Sequence, residues 1–126
     1  MLFRSAKAIA LVMPQLKGKL NGYAMRVPTA DVSVVDLTVN LKKEVTVAEI
    51  NAAFEVAAAG KFAGLIEIDN DQRVSSDFIG STYSSSFVPD MTCVVDGTTV
   101  KVLAWYDNEW GYSSRLVDMC VFVGDK

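Results

Sequence analysis

The sequence predicts an α+β domain in which helices cover one face of a largely antiparallel mixed sheet and a further helix closes the C-terminal end. Its signals run in the order helix, strands, helix, strands, helix. The strands are joined by hairpin signals rather than regular crossovers, and one of them alternates apolar and polar residues as a half-buried strand does. At 126 residues the chain is long enough for one ordinary domain and too short for two. A compact domain of that size buries roughly two-thirds of the surface its unfolded chain exposes.

Each element has its own signal. Ser5–Leu16 carries Ala6, Ala8, Ile9, Leu11, Val12 and Met13 ahead of Pro14, the pattern of a short helix with an apolar face that ends near the proline. A turn follows at Gly18-Lys19-Leu20-Asn21-Gly22, then a strand over Tyr23–Val27 stopped by Pro28. Val35, Leu37, Val39 and Leu41 alternate with Asp36, Thr38, Asn40 and Lys42, which predicts a strand with one buried face. Thr46-Val47-Ala48-Glu49 is a capping box, and Val45 and Ile50 stand at the spacing of the accompanying hydrophobic staple. Ile50, Ala53, Phe54, Ala57 and Ala58 then form one helical stripe, with Gly60 placed to end the helix in the left-handed conformation.

Short strands are predicted at Gly64–Ile68, Arg73–Phe78 and Thr82–Phe87. Thr92–Val95 and Thr98–Tyr106 flank Asp96-Gly97, a pair that tolerates the positive φ angles of a type I′ hairpin turn. The last helix starts at Asp107 or Asn108, either of which can cap it, and puts Tyr112, Leu116, Met119, Cys120 and Val123 on one face before Gly124. The sequence contains no internal repeat, low-complexity tract or linker.

Composition excludes several functions. Hydrophobic residues make up 51% of the chain and aromatics 10%, with three prolines, so the apolar area suffices for a folded core and disorder is excluded. The net charge of −3 and the absence of basic clusters beyond pairs such as Lys42-Lys43 speak against nucleic acid as a partner. No apolar stretch reaches the roughly 20 residues that span a bilayer, and Met1–Ser5 lacks the features of a signal peptide, so no membrane partner is expected. Cys93 and Cys120 both sit in apolar runs and are expected to be buried thiols, which places the protein in the reducing cytoplasm.

The residues themselves offer little catalytic chemistry. There is no histidine, and neither cysteine has a neighbouring base in sequence, so no nucleophile with its general base is visible. Glu67, Asp69 and Asp71 open like a calcium loop, but Val74 and Gly80 stand where that motif needs Gly and Glu; an acidic surface turn accounts for them, and no metal is expected. The glycines form no phosphate-cradling pattern. Arg26, at the end of its predicted strand, is the one candidate anion ligand, against the alternative of a surface or ion-paired side chain.

The stretch Trp105-Tyr106-Asp107-Asn108-Glu109-Trp110-Gly111-Tyr112-Ser113 resembles the C-terminal motif of the glyceraldehyde-3-phosphate dehydrogenase family. Leu20–Thr29 with its Arg-Val-Pro, Val32–Val39 and Val74–Phe78 resemble further family segments in the same order, and the resemblance runs from about Ala6 to Val123. It implies part of the family's catalytic C-terminal domain over residues 6–126, without the Rossmann cofactor domain. It implies a cytosolic homotetrameric parent that oxidises its aldehyde with NAD or NADP through a cysteine thioester, which inorganic phosphate cleaves to 1,3-bisphosphoglycerate.

Carried over residue by residue, the resemblance makes Arg26 the ligand of substrate and inorganic phosphate and Asn108 the residue that orients the nicotinamide. Tyr112 lies beside the cofactor, and Tyr106 shapes the pocket. The family's nucleophile-bearing Ser-Cys-Thr-Thr-Asn-Cys, its histidine base and its S-loop all precede the residues present. The chain is therefore expected to bind no cofactor and to catalyse nothing alone. Phe3-Arg4-Ser5 replaces the family's Thr-Gly-Ala loop, so Met1–Ser5 reads as an adventitious start. Two alternatives accompany this reading: a non-catalytic assembly module that docks on intact subunits, and a portion of erythrose-4-phosphate dehydrogenase, which shares the fold and these motifs.

Overall fold

The fold is seen in a computed structural model that describes residues 4–125. Helix α1 spans Arg4–Val12 and is followed by one 3-10 turn at Pro14–Leu16, since Pro14 lacks the N–H that would continue the helix. Of the separate start expected at Met1–Ser5, residues 1–3 lie outside the described part, and Arg4 and Ser5 belong to α1. Strand β1 is Ser33–Asn40, helix α2 Val47–Ala59, β2 Ile66–Ile68, β3 Ser85–Phe87, β4 Cys93–Val95, β5 Thr99–Tyr106 and helix α3 Trp110–Gly124.

The five strands form one mixed sheet centred on β5. One edge of β5 is paired with β1 along its whole length, Ser33 opposite Tyr106 through Asn40 opposite Thr99. The other edge takes β4 at Thr99–Lys101 and β3 at Ala104–Trp105, and β2 lies parallel to β3 outside it. The β4–β5 hairpin turns as predicted, with Asp96 and Gly97 at φ of 49° and 68°, the pair of positive angles that matches the twist of the two strands.

The register divides the sheet into two faces. On one, Phe87, Val100 and Val102 form a core cluster with Val39, Leu41, Ile66, Ile68 and Val94, and α2 closes it with Ile50 and Phe54. The Phe54 ring stacks on Phe87 at 4.0 Å between centroids. The predicted capping box starts this helix: Thr46 Oγ1 accepts from the Glu49 backbone N–H, and the Glu49 carboxylate accepts from the Thr46 N–H at 2.7 Å. Those two Thr46 donors, backbone and hydroxyl, hold the Glu49 carboxyl below its ordinary value. On the opposite face Phe78 is fully buried and stacks on Trp105, with the Arg73 guanidinium 4.5 Å from the centre of its ring.

Several expectations are overturned. The segment 20–32 forms no strand: Tyr23, Met25, Arg26 and Val27 lie exposed on extended chain without ladder partners. Ser75–Phe78, predicted as strand, is a 3-10 turn in which Asp77 accepts from the Val74 N–H, so the serines and aspartate supply a turn rather than a ladder. Gly60 ends α2 at φ −114°, not in the left-handed region. Asp69 is buried instead of lying on a surface turn: Arg73 donates to it at 2.9 Å and to Glu67 at 2.8 Å. Cys93 and Cys120 are both exposed, so the inference from buried thiols to a reducing compartment loses its ground. The buried face predicted for β1 is half-realised, with Val39 packed and Val35 and Leu37 left 47% and 40% exposed. The total surface of 9616 Å² exceeds the roughly 6,600 Å² of a compact monomer of this length, so the expected two-thirds burial is not reached.

Candidate functional site

The motif residues gather where β5 turns into α3. Tyr106 ends β5 opposite Ser33, and Asn108 sits two residues beyond it. The organiser between them is Asp107, a buried carboxylate that accepts from the backbone N–H of Glu109 and Trp110 at 2.9 and 2.7 Å and from that of Gly80 at 2.9 Å. Burial alone raises the pKa of this carboxyl, but the Trp110, Gly80 and Glu109 donors outweigh it and hold the group below its ordinary value. Asp107 thus satisfies two orphan N–H groups at the start of α3, although the helix itself begins at Trp110. Of the two capping candidates, the structure selects Asp107.

Asn108 faces outward. Its Oδ1 accepts from the Ser33 hydroxyl at 3.0 Å, a contact between residues 75 apart in sequence. That bond orients the amide of an exposed residue. Just before Ser33, Val32 is buried at φ 69°, a left-handed conformation that costs a β-branched residue about 1–2 kcal/mol. Its N–H donates to Asp31 Oδ1 at 2.7 Å. Strain and hydrogen bonding together fix the path of the chain into β1 beside the amide.

α3 approaches closely at its first turn. A Cβ on Gly111 would lie 2.8 Å from the Tyr83 carbonyl oxygen, so only glycine fits there without a shift. Tyr112, next in sequence, is 69% exposed on the outside of this turn. Trp110 is likewise exposed, whereas Trp105 is partly buried on Phe78.

The structure therefore brings Tyr106, Asn108 and the start of α3 together and leaves Arg26 apart. Arg26 is exposed on the irregular chain seven residues before Ser33, and among the described residues no hydrogen bond or ion pair engages it. The picture of a guanidinium at the end of a strand is corrected accordingly. Sequence reasoning missed Ser33, because nothing local marks a hydroxyl that meets an amide 75 residues away. It also missed the Glu67–Asp69–Arg73 network, where the (i, i+4) spacing of Asp69 and Arg73 was the available signal. An open concavity of about 440 Å³ on α1, lined by Ala8, Ile9, Val12 and Met13, contains none of the candidate residues. Its apolar lining offers no catalytic chemistry.

Residues 3–108 match the family described as glyceraldehyde 3-phosphate dehydrogenase, C-terminal domain. Glyceraldehyde-3-phosphate dehydrogenase of Geobacillus stearothermophilus is 55% identical over 122 residues, which are 97% of this chain and 36% of the relative. Glyceraldehyde-3-phosphate dehydrogenase 2 of Streptomyces avermitilis is 54% identical and glyceraldehyde-3-phosphate dehydrogenase 1 of Bacillus cereus 55% identical, with the same coverage. Fold, motif and relatives together define a C-terminal domain of an oxidoreductase. The chain belongs to the glyceraldehyde-3-phosphate dehydrogenase family and spans about a third of the length of the curated relatives it matches.

Proposed function

We propose that this chain is part of the catalytic domain of a cytoplasmic glyceraldehyde-3-phosphate dehydrogenase that works in glycolysis as a homotetramer. The whole enzyme converts glyceraldehyde 3-phosphate and inorganic phosphate to 1,3-bisphosphoglycerate. NAD or NADP, when bound, supplies the hydride acceptor. Within this chain Asn108 orients the nicotinamide carboxamide, Tyr112 lies beside it, Tyr106 shapes the pocket wall, and Arg26 holds the phosphates.

The observation that carries this reading is the Asn108 amide, exposed, oriented by Ser33 and set on a turn fixed by Asp107. An amide so held offers donor and acceptor to another amide without first losing rotamer freedom, which fits a carboxamide ligand. Arg26 suits its role chemically, since an exposed guanidinium presents five donors in a fork that matches phosphate oxygens. The chain has no histidine and two exposed cysteines, neither beside a base, so the nucleophile and base of the reaction belong to polypeptide outside it.

Two assays test the proposal. The purified chain, given NAD, phosphate and aldehyde, should form no NADH. A hybrid in which it replaces the matching third of the Geobacillus relative should turn over. There, Arg26→Ala should raise KM for aldehyde phosphate and inorganic phosphate by about tenfold or more, and Asn108→Ala should do the same for the dinucleotide. Turnover by the chain alone that Arg26→Ala abolishes, or a folded hybrid indifferent to both substitutions, would overturn the reading.

A further inference from the structure

The chain has five asparagines, and an asparagine can lose its side-chain amide to the backbone nitrogen that follows it. That nitrogen attacks the side-chain Cγ, so it must be within reach, sterically open and free of another acceptor. At four of the five positions the fold commits it elsewhere. Leu41, after Asn40, donates its N–H to the Thr98 carbonyl at 2.8 Å. Ala52, after Asn51, lies inside α2, where the helix takes its N–H. Asp71, after Asn70, donates to Asp69 Oδ1 at 3.2 Å, and Glu109, after Asn108, donates to Asp107 Oδ1 at 2.9 Å. The side chains of Asn40, Asn51 and Asn108 are themselves tied, to Thr99, the Pro89 carbonyl and Ser33.

Asn21 differs at each point. Residue 22 is glycine, with no Cβ to shield its nitrogen. Both residues are exposed on irregular chain, and among the described residues no backbone–backbone hydrogen bond involves either. The Gly22 N–H is turned onto the preceding side chain itself, donating to Asn21 Oδ1 at 2.9 Å. The two groups that react are folded onto each other by a contact between adjacent residues, in which no third residue takes part.

We propose that Asn21 is a modification site, the one asparagine that the fold leaves poised for intramolecular deamidation. The Gly22 nitrogen gives its proton to hydroxide, and its electron pair forms a bond to Asn21 Cγ. The Cγ–Nδ2 bond breaks, and the side-chain nitrogen takes a proton from water and leaves as ammonia. The product is a cyclic succinimide, formed with no change of oxidation state. Water then opens the ring at either carbonyl. Attack at Cγ restores the original main chain and leaves a carboxylate side chain at position 21. Attack at the main-chain carbonyl leaves the chain running through Cβ and Cγ, an isoaspartyl link with one extra main-chain atom. Either product adds a negative charge to the segment that leads to Arg26.

Incubation of the purified chain in mildly alkaline buffer, with ammonia release followed and every asparagine mapped by peptide mass spectrometry, tests the proposal. Asn21 should convert first, to both the aspartyl and the isoaspartyl product. Its lead over each of the other four asparagines should be about tenfold or more, since their following nitrogens must first break a hydrogen bond. Gly22→Pro removes the N–H proton that ring closure must lose, and it should stop conversion at Asn21. Asn21→Gln lengthens the side chain by a methylene and should remove most of the ammonia released. Both positions are exposed and lie outside the sheet, so circular dichroism should be unchanged. In guanidinium chloride the other nitrogens are released from their acceptors, and the lead of Asn21 should narrow. Earlier conversion at any other asparagine overturns the proposal, as does a lead of unchanged size in the unfolded chain or continued conversion in Gly22→Pro. Should Gly22→Pro fail to fold, the order of conversion in the unmodified chain, folded against unfolded, decides.

Discussion

Helices α2 and α3 have similar lengths, 13 and 15 residues, and very different surroundings. α2 begins with a complete capping box and lays Ile50 and Phe54 on the sheet core. α3 is anchored at its first turns, through Asp107, the close approach of Gly111 to Tyr83, and Arg115, which donates to the Ser84 hydroxyl at 3.3 Å. Beyond Arg115, Leu116, Val117, Met119, Val121 and Val123 are each more than half exposed. The difference teaches that local signals suffice to start a helix, whereas burial depends on a facing surface, and here the sheet offers one to α2 alone.

The largest effect should come from the contact that ties α2 to the sheet. Phe87→Ala removes the ring stacked on Phe54 at the centre of the core cluster, and emptying such a site costs about 3–5 kcal/mol. Against a total stability of about 5–15 kcal/mol, that is enough to unfold much of the population. Urea unfolding followed by tryptophan fluorescence measures it. A loss below about 1 kcal/mol would mean that α2 and the sheet are not one cooperative unit.

Much of this architecture was legible in the sequence, for physical reasons. The capping box, the Asp96-Gly97 hairpin and the nine-residue motif are local codes whose partners lie within a few positions, so they can be read without the fold. Burial was read less well. Cys93 and Cys120 carry apolar surroundings in sequence, but exposure is set by what packs above them, and that is long-range. Tyr23–Pro28 shows the same failure. Its alternation fits a strand, yet a strand needs a ladder partner, and among the described residues none is adjacent. At the site, Asn108 was legible through its motif, whereas Ser33 was not, because a contact across 75 residues leaves no local trace.

Asp107 tests the anchor of α3. Asp107→Ala strips three backbone donors of their charged acceptor and should cost about 1.5–3 kcal/mol at neutral pH. Its folded pKa lies below the ordinary 3.8, so its contribution is fully present above that value. It fades as pH falls from there through the lower folded pKa, because the unfolded chain takes up the proton first. Urea midpoints between pH 7 and pH 2 should therefore converge for the parent chain and Asp107→Ala as acid is added. A gap of constant size would show that the carboxylate acts through packing rather than charge.

Thr46→Ala probes the other helix start. It removes the hydroxyl that accepts from Glu49, while the Glu49 carboxylate can still take the backbone N–H of residue 46, so the expected loss is about 1 kcal/mol. Hydrogen exchange should localise this loss to the first turn of α2, with the sheet amides following only through global unfolding. Equal acceleration at every amide of α2 would indicate that the cap controls the whole helix.

The smallest effect belongs to the far half of α3, and it sharpens the contrast most directly. Leu116 is 55% exposed, so truncation removes side-chain atoms that remain largely in contact with water and leaves no cavity behind. Alanine also has the higher helix propensity, which offsets the little packing that is lost. Leu116→Ala should therefore shift stability by no more than about 0.5 kcal/mol in either direction, read as a urea midpoint with unchanged slope. The same leucine-to-alanine change in a packed core costs about 2–5 kcal/mol, so a measured loss in that range would mean that this face of α3 is covered in solution. Repeating the measurement at several chain concentrations identifies the cover, since a contact between copies makes the loss grow with concentration and an intramolecular contact does not.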